Sequence, residues 1–446
     1  MKTVILAAGQ GTRMNSNIPK VLHKINNKHL IDYSIEIGNK IGSSEIVVVV
    51  GHKHNVIKEA LKEKNVKFVI QEEQLGTGHA VMMAEKYIND DDVLVLFGDC
   101  PLIPAETIEH FIKYHRESNN DLSCISSFTK EPKGYGRIVR GNNAFLKNVE
   151  EKDATEEERK IEEVNVGVYL FKSGIANLAL SKLGNNNAQN EYYITDTLEI
   201  VKQNGKVGVY TDINFNNFMG INTKSQLAIA RKIMQDRINE NLMDSGAIII
   251  DPATAYIDAT VKIGIDTVIE PNVIIKGDTE IGLNCTIGAN TKITNCKIGD
   301  NVEINSSVAI DSKIGNGTKV GPFAYIRPNS NLGENVKIGD FVEVKNSNIG
   351  KNSKASHLTY IGDSDLGENI NVGCGTITVN YDGKNKARTV IGDNSFIGCN
   401  SNLVAPVEVE KNSYVACGTT VVKNVPEKSL AIGRVRQENK KNWIRD

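Results

Sequence analysis

The stretch Ile257-Asp258-Ala259-Thr260-Val261-Lys262-Ile263-Gly264-Ile265-Asp266-Thr267-Val268-Ile269 decides the fold, because an aliphatic residue returns in it at every sixth position. The step continues through Ile275, Ile281, Ile287 and Ile293, slips by one, and resumes at Ile298 and Ile304. It then runs from Ile314 through Val320, Ile326, Leu332, Ile338 and Val344, and closes with Ile391, Ile397, Leu403, Val409, Val415 and Val421. Gly follows many of these residues, as in Ile263-Gly264 and Ile281-Gly282. A period of six fits neither an amphipathic helix nor the alternation of a hairpin meander. It fits a chain that turns a corner every six residues, with the aliphatic side chain inward and Gly or Asn easing the backbone at the bend. Three steps close a triangular coil of about eighteen residues, so the run supplies roughly nine coils, a prism roughly 40 Å tall at strand spacing. An antiparallel sandwich does not hold a six-residue register over this length.

At 446 residues the chain holds two or three domains and buries a core without staples. A net charge of −2 gives no push toward nucleic acid or an anionic membrane. No apolar run approaches a membrane span, and the first strand begins at Lys2-Thr3-Val4, leaving no room for a signal peptide. The expected setting is therefore cytoplasmic, without an integral membrane segment. The seven cysteines, Cys100, Cys124, Cys285, Cys296, Cys374, Cys399 and Cys417, are odd in number and form no C-x-x-C pair, which argues against a zinc site or a disulfide framework.

Up to about residue 222, apolar runs at 3–6, 46–50, 68–70 and 93–97 alternate with amphipathic stretches at 29–42, 54–64, 78–88 and 105–116. This pattern predicts an α/β, Rossmann-like layer fold with a mainly parallel sheet, and ligands of such folds sit beyond the carboxyl ends of the strands. The first strand-end loop is Leu6-Ala7-Ala8-Gly9-Gln10-Gly11-Thr12-Arg13-Met14, with Pro19-Lys20 following. Its small residues let backbone N–H groups approach a phosphate, and Arg13 and Lys20 can offset the charge of a triphosphate. It lacks both the G-K-[ST] and the G-x-G-x-x-G spacing. Gln71 and the run Gly76-Thr77-Gly78 suit a base-binding loop at a helix start. Asp99, in Phe97-Gly98-Asp99-Cys100, puts a carboxylate at a strand tip, as Mg²⁺ held by one or two protein groups and phosphates requires.

The string L-A-A-G-x-G-T-R-M with its later P-K resembles the sugar-nucleotide pyrophosphorylases. That resemblance implies that Gly136, Glu150 and Asn165 hold the sugar, and that Asn222 joins Asp99 on the metal. Glu191-Tyr192-Tyr193-Ile194-Thr195-Asp196 is read as a structural loop leading into a helix. Thr223 with Gln226 forms a capping box for a connecting helix whose face is Leu227, Ala230, Met234, Ile238 and Leu242. These readings divide the chain into a nucleotidyltransferase domain at 1–223, a helical linker at 224–250 and a hexapeptide-repeat domain at 251–446.

The repeats resemble the hexapeptide-repeat acyltransferases, which implies a left-handed parallel β-helix. What stands out is where the rule breaks. His357, in Lys354-Ala355-Ser356-His357-Leu358-Thr359-Tyr360, is the only histidine after residue 115. The steps from Arg327 to Lys345 and from Lys345 to His357 are both multiples of six, which stack positions on equivalent or neighbouring faces. With Asn371 they are expected on one edge. The segment Val379-Asn380-Tyr381-Asp382-Gly383-Lys384-Asn385-Lys386-Ala387-Arg388 leaves the hexads and is expected to loop outward over a phosphate-bearing ligand. The chain ends basic, with Arg434, Arg436, Lys440, Lys441 and Arg445 around Trp443.

Taken together, the two halves resemble the family of bifunctional bacterial enzymes that join a glucosamine-1-phosphate acetyltransferase to an N-acetylglucosamine-1-phosphate uridylyltransferase. The resemblance implies glucosamine 1-phosphate, acetyl-coenzyme A, N-acetylglucosamine 1-phosphate and UTP as substrates, Mg²⁺ as cofactor, and a homotrimer. It makes His357 the base of acetyl transfer, with Arg327 and Lys345 on the sugar phosphate and Tyr360 and Asn371 on the sugar. Asn380, Tyr381 and Arg434 would line the acetyl-coenzyme A channel. So would Cys374, Cys399 and Cys417, where Ala or Ser is usual, mainly through their backbones. An imidazole, with an ordinary pKa of about 6.5, suits a base near neutral pH. Two rival readings are a different sugar-1-phosphate nucleotidyltransferase with a regulatory β-helix, and a trimerisation scaffold bearing a degenerate binding domain.

Overall fold

A computed structural model describes residues 1–446 apart from 89, 90, 143, 442 and 444–446, so Arg445 lies outside the described residues. The chain divides into two compact units, Met1–Met234 and Gln235–Asp446.

The first unit is built on a mixed sheet whose strands are β1 (Lys2–Ala7), β2 (Glu45–Val50), β3 (Lys67–Ile70), β4 (Val93–Phe97), β5 (Leu122–Phe128), β6 (Gly136–Gly141), β7 (Ala144–Val149), β8 (Glu163–Phe171) and β9 (Val207–Thr211). The main order is β9-β5-β8-β4-β1-β2-β3, and the β6–β7 hairpin joins at β8. β1 pairs in parallel with both β2 and β4, and β8 runs antiparallel to its neighbours. The central strands are buried on both faces, which explains why they read as unbroken Val, Ile and Leu rather than as alternating patterns. Helices α1 (Leu30–Lys40), α2 (His54–Ala60), α3 (Thr77–Met82), α4 (Ala105–Glu117) and α5 (Asp196–Lys202) cover the sheet. The stretch expected to be helical to residue 88 stops at Met82, with a separate turn at Glu85–Tyr87.

Helix α6 spans Lys224–Asp244 and opens on the expected capping box: the Thr223 hydroxyl accepts from the Gln226 N–H at 3.1 Å, and the Gln226 side chain accepts from the Thr223 N–H at 3.0 Å. Leu227 and Ala230 pack with Met14, Ile25 and Leu102 in the first unit. Gln235 and Asn239, polar yet buried, bond the carbonyls of Ile257, Pro252 and Ala255 in the second. The division between the compact units thus falls inside α6.

In the second unit, short parallel strands stack on three faces that carry 11, 10 and 9 strands among the described residues. Ten steps of strand spacing along the longest face amount to about 48 Å. The stack exceeds the run of hexads because coils at Ile248–Ile249 and Leu430–Ala431 extend it at either end. The aliphatic positions are buried, Ile257, Ile269, Ile275, Ile287 and Ile304 completely, each contributing about 1.5–3 kcal/mol. A second ladder supports them: a Ser or Thr two positions before many of the aliphatics is also buried. Its hydroxyl donates to a carbonyl about one coil on, as from Thr267 to Gly282, Thr318 to Gly333 and Ser353 to Gly367 at 2.8–2.9 Å. Coil length varies. From Ile269 to its register partner Ile287 is three full hexads; from Ile281 to Ile298 the coil is shorter by one, from Ile293 to Ala309 shorter by two, and from Val372 to Ile397 longer by seven. The variation is taken up at the corners.

Many corner residues are left-handed, and most of them are Asn or Gly as expected. The same corner on three successive coils breaks that rule: Phe323, Phe341 and Leu358 take φ of 58°, 56° and 42°, a conformation disfavoured by about 1–2 kcal/mol for a side chain with a Cβ. All three are exposed, and the two phenyl rings stack 5.5 Å apart.

Candidate functional site

Order reversal in the first sheet occurs at β1, between β4 and β2, so the loops after β1 and β4 part there and open a crevice. The Gly98 N–H donates to the Leu6 carbonyl at 2.9 Å, locking the two loop starts together, and the Ile221 N–H donates to the Asp99 carbonyl at 2.9 Å, bringing Asn222 alongside. The resulting cleft has a volume of about 650 Å³. Its lining includes every residue expected to hold nucleotide, sugar or metal in this half: Leu6, Ala7, Ala8, Gly9, Arg13, Lys20, Gln71, Gly76, Thr77, Asp99, Gly136, Glu150, Asn165 and Asn222.

Gly11 has φ +65° and lies against the Lys20 side chain, so a Cβ there would displace Lys20. The Lys20 ammonium donates to Asn222 Oδ1 at 3.0 Å and is paired with Asp99 Oδ2. Two hard oxygens therefore converge on one cation. Arg13, by contrast, is exposed and makes no hydrogen bond or ion pair among the described residues.

At the end expected to bind the base, Gln71 is buried, with its amide nitrogen shared between the Gly76 carbonyl (3.1 Å) and the His79 ring (3.0 Å), which leaves its oxygen uncommitted to those two contacts. At the opposite end, the Thr195 hydroxyl donates to Glu150 Oε1 at 2.8 Å, and burial raises the Glu150 pKa despite that bond. Asn165 is mostly spent on structure, donating to Asn148 at 3.2 Å and accepting from the Gly167 N–H at 3.0 Å, where β8 bulges.

The segment 191–196 is more than a lead into α5. Backbone bonds from Tyr192 N–H to Leu75 O (2.8 Å) and Gly78 N–H to Tyr192 O (2.7 Å) fasten it to the 75–78 loop, and Glu191, Tyr193, Ile194 and Thr195 all line the cleft. Tyr135 is a further lining residue beyond the expected set. The only sequence signal for Thr195 was its place one residue before α5.

In the second unit, His357 ends the strand Lys354–His357 at a corner. Its Nδ1 lies 2.7 Å from Oδ1 of Asp340, its register partner on the preceding coil. The hydrogen bond from His357 holds the Asp340 carboxyl below its usual range. An ionised carboxylate only accepts, so Nδ1 donates to it, and in the neutral ring Nε2 is the nitrogen with the free lone pair. The imidazole is 61 % exposed. Asp340 carries no distinguishing signal in the sequence, because a corner Gly-Asp is ordinary turn chemistry.

Around the corner, on the next face, Tyr360 pairs in register with Glu343. Arg327 reaches Glu343 at 2.7 Å, and Lys345 lies 3.4 Å from Asp363. Asp363 also receives Asn346 (2.5 Å) and Asn380, whose amide lies 3.5 Å from the Tyr360 hydroxyl. Against burial, which opposes it, these donors keep the Asp363 pKa low. Arg327, Lys345, Tyr360 and Asn380 thus gather on one face beside the His357 corner. Asn371 does not join them: it is in register with Lys354, at the far end of the strand that carries His357.

Cys374, Cys399 and Cys417 stand at the same corner on the three coils beyond His357, and Arg434 donates to the Cys417 carbonyl at 2.7 Å. Tyr381 is exposed, with its hydroxyl on the Gly383 carbonyl at 2.7 Å, and residues 381–386 loop outward as expected.

Residues 2–235 match the family described as "Nucleotidyl transferase", and residues 260–295 and 311–346 match "Bacterial transferase hexapeptide (six repeats)". Along its whole length the chain is 54% identical to "Bifunctional protein GlmU" of Alkaliphilus oremlandii, covering 98% of that protein. It is 50% identical to the proteins of the same name from Clostridioides difficile and Thermoanaerobacter pseudethanolicus, covering 97% of each.

Proposed function

From the premise that the chain belongs to the family of bifunctional GlmU proteins, we propose how its own residues divide the two reactions. The protein makes UDP-N-acetylglucosamine by acetyl transfer from acetyl-coenzyme A to glucosamine 1-phosphate, followed by uridylyl transfer from UTP to N-acetylglucosamine 1-phosphate with release of pyrophosphate. The rival readings, a β-helix that only regulates and a degenerate scaffold, are not favoured by full-length relatives of this kind.

Acetyl transfer belongs to the corner at His357. The observation that carries this is the 2.7 Å contact to Asp340, which fixes the imidazole with Nε2 outward. Nε2 takes a proton from the amine of glucosamine 1-phosphate, the amine nitrogen attacks the thioester carbonyl, and coenzyme A leaves. Arg327 and Lys345 hold the sugar phosphate, each already oriented by a carboxylate, and Tyr360 meets the sugar. The corners at Cys374, Cys399 and Cys417, with Asn380, Tyr381 and Arg434, take acetyl-coenzyme A.

Uridylyl transfer belongs to the cleft of the first unit. The 6–9 loop and Arg13 receive the triphosphate, Gln71, Gly76 and Thr77 the base, and Gly136, Glu150 and Asn165 the sugar, with Thr195 fixing Glu150. The sugar phosphate attacks the α-phosphorus in line, so no protein nucleophile is needed. Asp99 and Asn222 suit Mg²⁺: both present oxygen to one point, where the Lys20 ammonium now sits, and phosphates complete such a site. When bound, Mg²⁺ neutralises charge on the transferred and departing phosphates. Lys20 and Arg13 add positive charge on the same side.

The open setting of His357 supports a homotrimer in which a neighbouring copy covers the corner. No helix among the described residues is long and apolar enough to cross a membrane, and all seven thiols are free, which suits the reducing cytoplasm.

The test is to follow free thiol and pyrophosphate separately in His357→Ala. Acetyl transfer should fall by about 10²–10⁴-fold with uridylyl transfer intact. Equal loss of both, or neither, would sink the division of labour.

A further inference from the structure

The corner column that carries His357 runs on into three thiols. Ala355 pairs with Val372, Val372 with Ile397, and Ile397 with Val415; two positions further on, the same ladder stacks His357, Cys374, Cys399 and Cys417. Backbone bonds hold these corners in register, from Asn400 N–H to Cys374 O at 2.7 Å and from Gly418 N–H to Cys399 O at 2.8 Å. The other four cysteines are buried, Cys374 is half-buried, and Cys399 and Cys417 are exposed. Adjacent coils lie about 4.8 Å apart, within the Cα separation of about 4.4–6.8 Å that a disulfide spans. Of the two neighbouring pairs, Cys399 with Cys417 is the one in which a reagent reaches both sulfurs.

We infer that Cys399 and Cys417 are a reversible thiol–disulfide pair that closes this column to acetyl-coenzyme A when oxidised. The oxidant is a low-molecular-weight disulfide, RSSR. The Cys417 thiolate attacks one of its sulfurs, forming a mixed disulfide and expelling RS⁻, which takes up the proton given up by the thiol. The Cys399 thiolate then attacks the Cys417 sulfur, closing the intrachain bond and expelling the second RS⁻, which is protonated likewise. Two protein thiols are oxidised, one small disulfide is reduced to two RSH, and a dithiol reverses both steps. The effect on catalysis rests on assigning acetyl transfer to this corner, whereas the pairing of the sulfurs does not.

The experiment treats the full-length protein with oxidised glutathione and reads both peptide masses and the two activities. Trypsin cuts at Lys384 and Lys411, so Cys374, Cys399 and Cys417 fall in three different peptides. The expected result is a Cys399–Cys417 cross-linked pair, a protein lighter by two hydrogens, and acetyl transfer reduced at least about tenfold. Uridylyl transfer should be unchanged, and dithiothreitol should reverse the loss. Cys374→Ser should still form the link, and Cys417→Ser should form none. Glutathione adducts that persist without closing, a link through Cys374, or a link that leaves acetyl transfer untouched would each overturn the inference. Retained acetyl transfer in reduced His357→Ala would instead bring down the assignment of the corner.

Discussion

The cleft of the first unit and the His357 corner of the second both gather polar groups from distant parts of the sequence, by opposite means. The cleft draws on strand-end loops from residue 6 to residue 222, and it encloses groups such as Asn165 and the side chain of Glu150. The corner is built by repetition: Asp340 and His357 are neighbours because a single turn of the stack separates them, and their contact lies in the open. An enclosed site can tune its groups by desolvation, whereas an exposed one must rely on partners placed at contact distance. The pKa directions follow this division: burial raises Glu150 and Asp196 in the first unit, whereas the His357 hydrogen bond lowers Asp340 in the second.

The contrast breaks first at the proposed metal position. Asp99→Ala should lower Mg²⁺-dependent pyrophosphate release by about a thousandfold and leave thiol release from acetyl-coenzyme A unchanged; Mg²⁺ titration of the variant measures the loss. A smaller effect belongs to the exposed partner. Asp340→Asn should cut kcat for acetyl transfer by about a hundredfold with little change in KM, because the amide no longer dictates which ring nitrogen carries the proton. A variant that loses KM instead would make Asp340 a substrate contact.

The smallest effect separates the two units by pH. Asp196 has its pKa raised to about 6, by burial first and then by Glu199 and Glu150. Folding favours its protonated form, so that stability is present below about pH 4 and is lost as pH rises through about 6. Asp196→Asn should flatten that decline, changing the Tm of the first unit by about 2–4 °C between pH 5 and 7 in thermal melts, with the second unit unaffected. An unchanged slope would show that the carboxyl is solvated.

The two regions also differ in how far they could be read from residue order. The stack was legible because its main term, burial of one aliphatic side chain per hexad, repeats with a fixed period. The Ser/Thr ladder two positions earlier carries the same period but was hidden by the abundance of hydroxyls at turns. The cleft's Gly-rich first loop and Asp99 were visible as strand-end motifs, whereas Thr195 and Tyr135 reach it only through pairings between loops far apart in sequence. Asp340 needed the register of the stack, which a slip of one residue at the corners leaves undefined. Asn371 was expected on one edge with the others because it lies only about one or two coils from them, yet its register partner is Lys354. The division inside α6 was equally hidden, since helical periodicity carries on across it.

Coils of several different lengths sit in one stack without disturbing the aliphatic ladder. Corners are therefore the editable margin of the architecture, and the outward excursion after Val379 is an edit of that kind. New recognition elements grafted at a bend should be tolerated where the same insertion within a strand would turn every later side chain inside out.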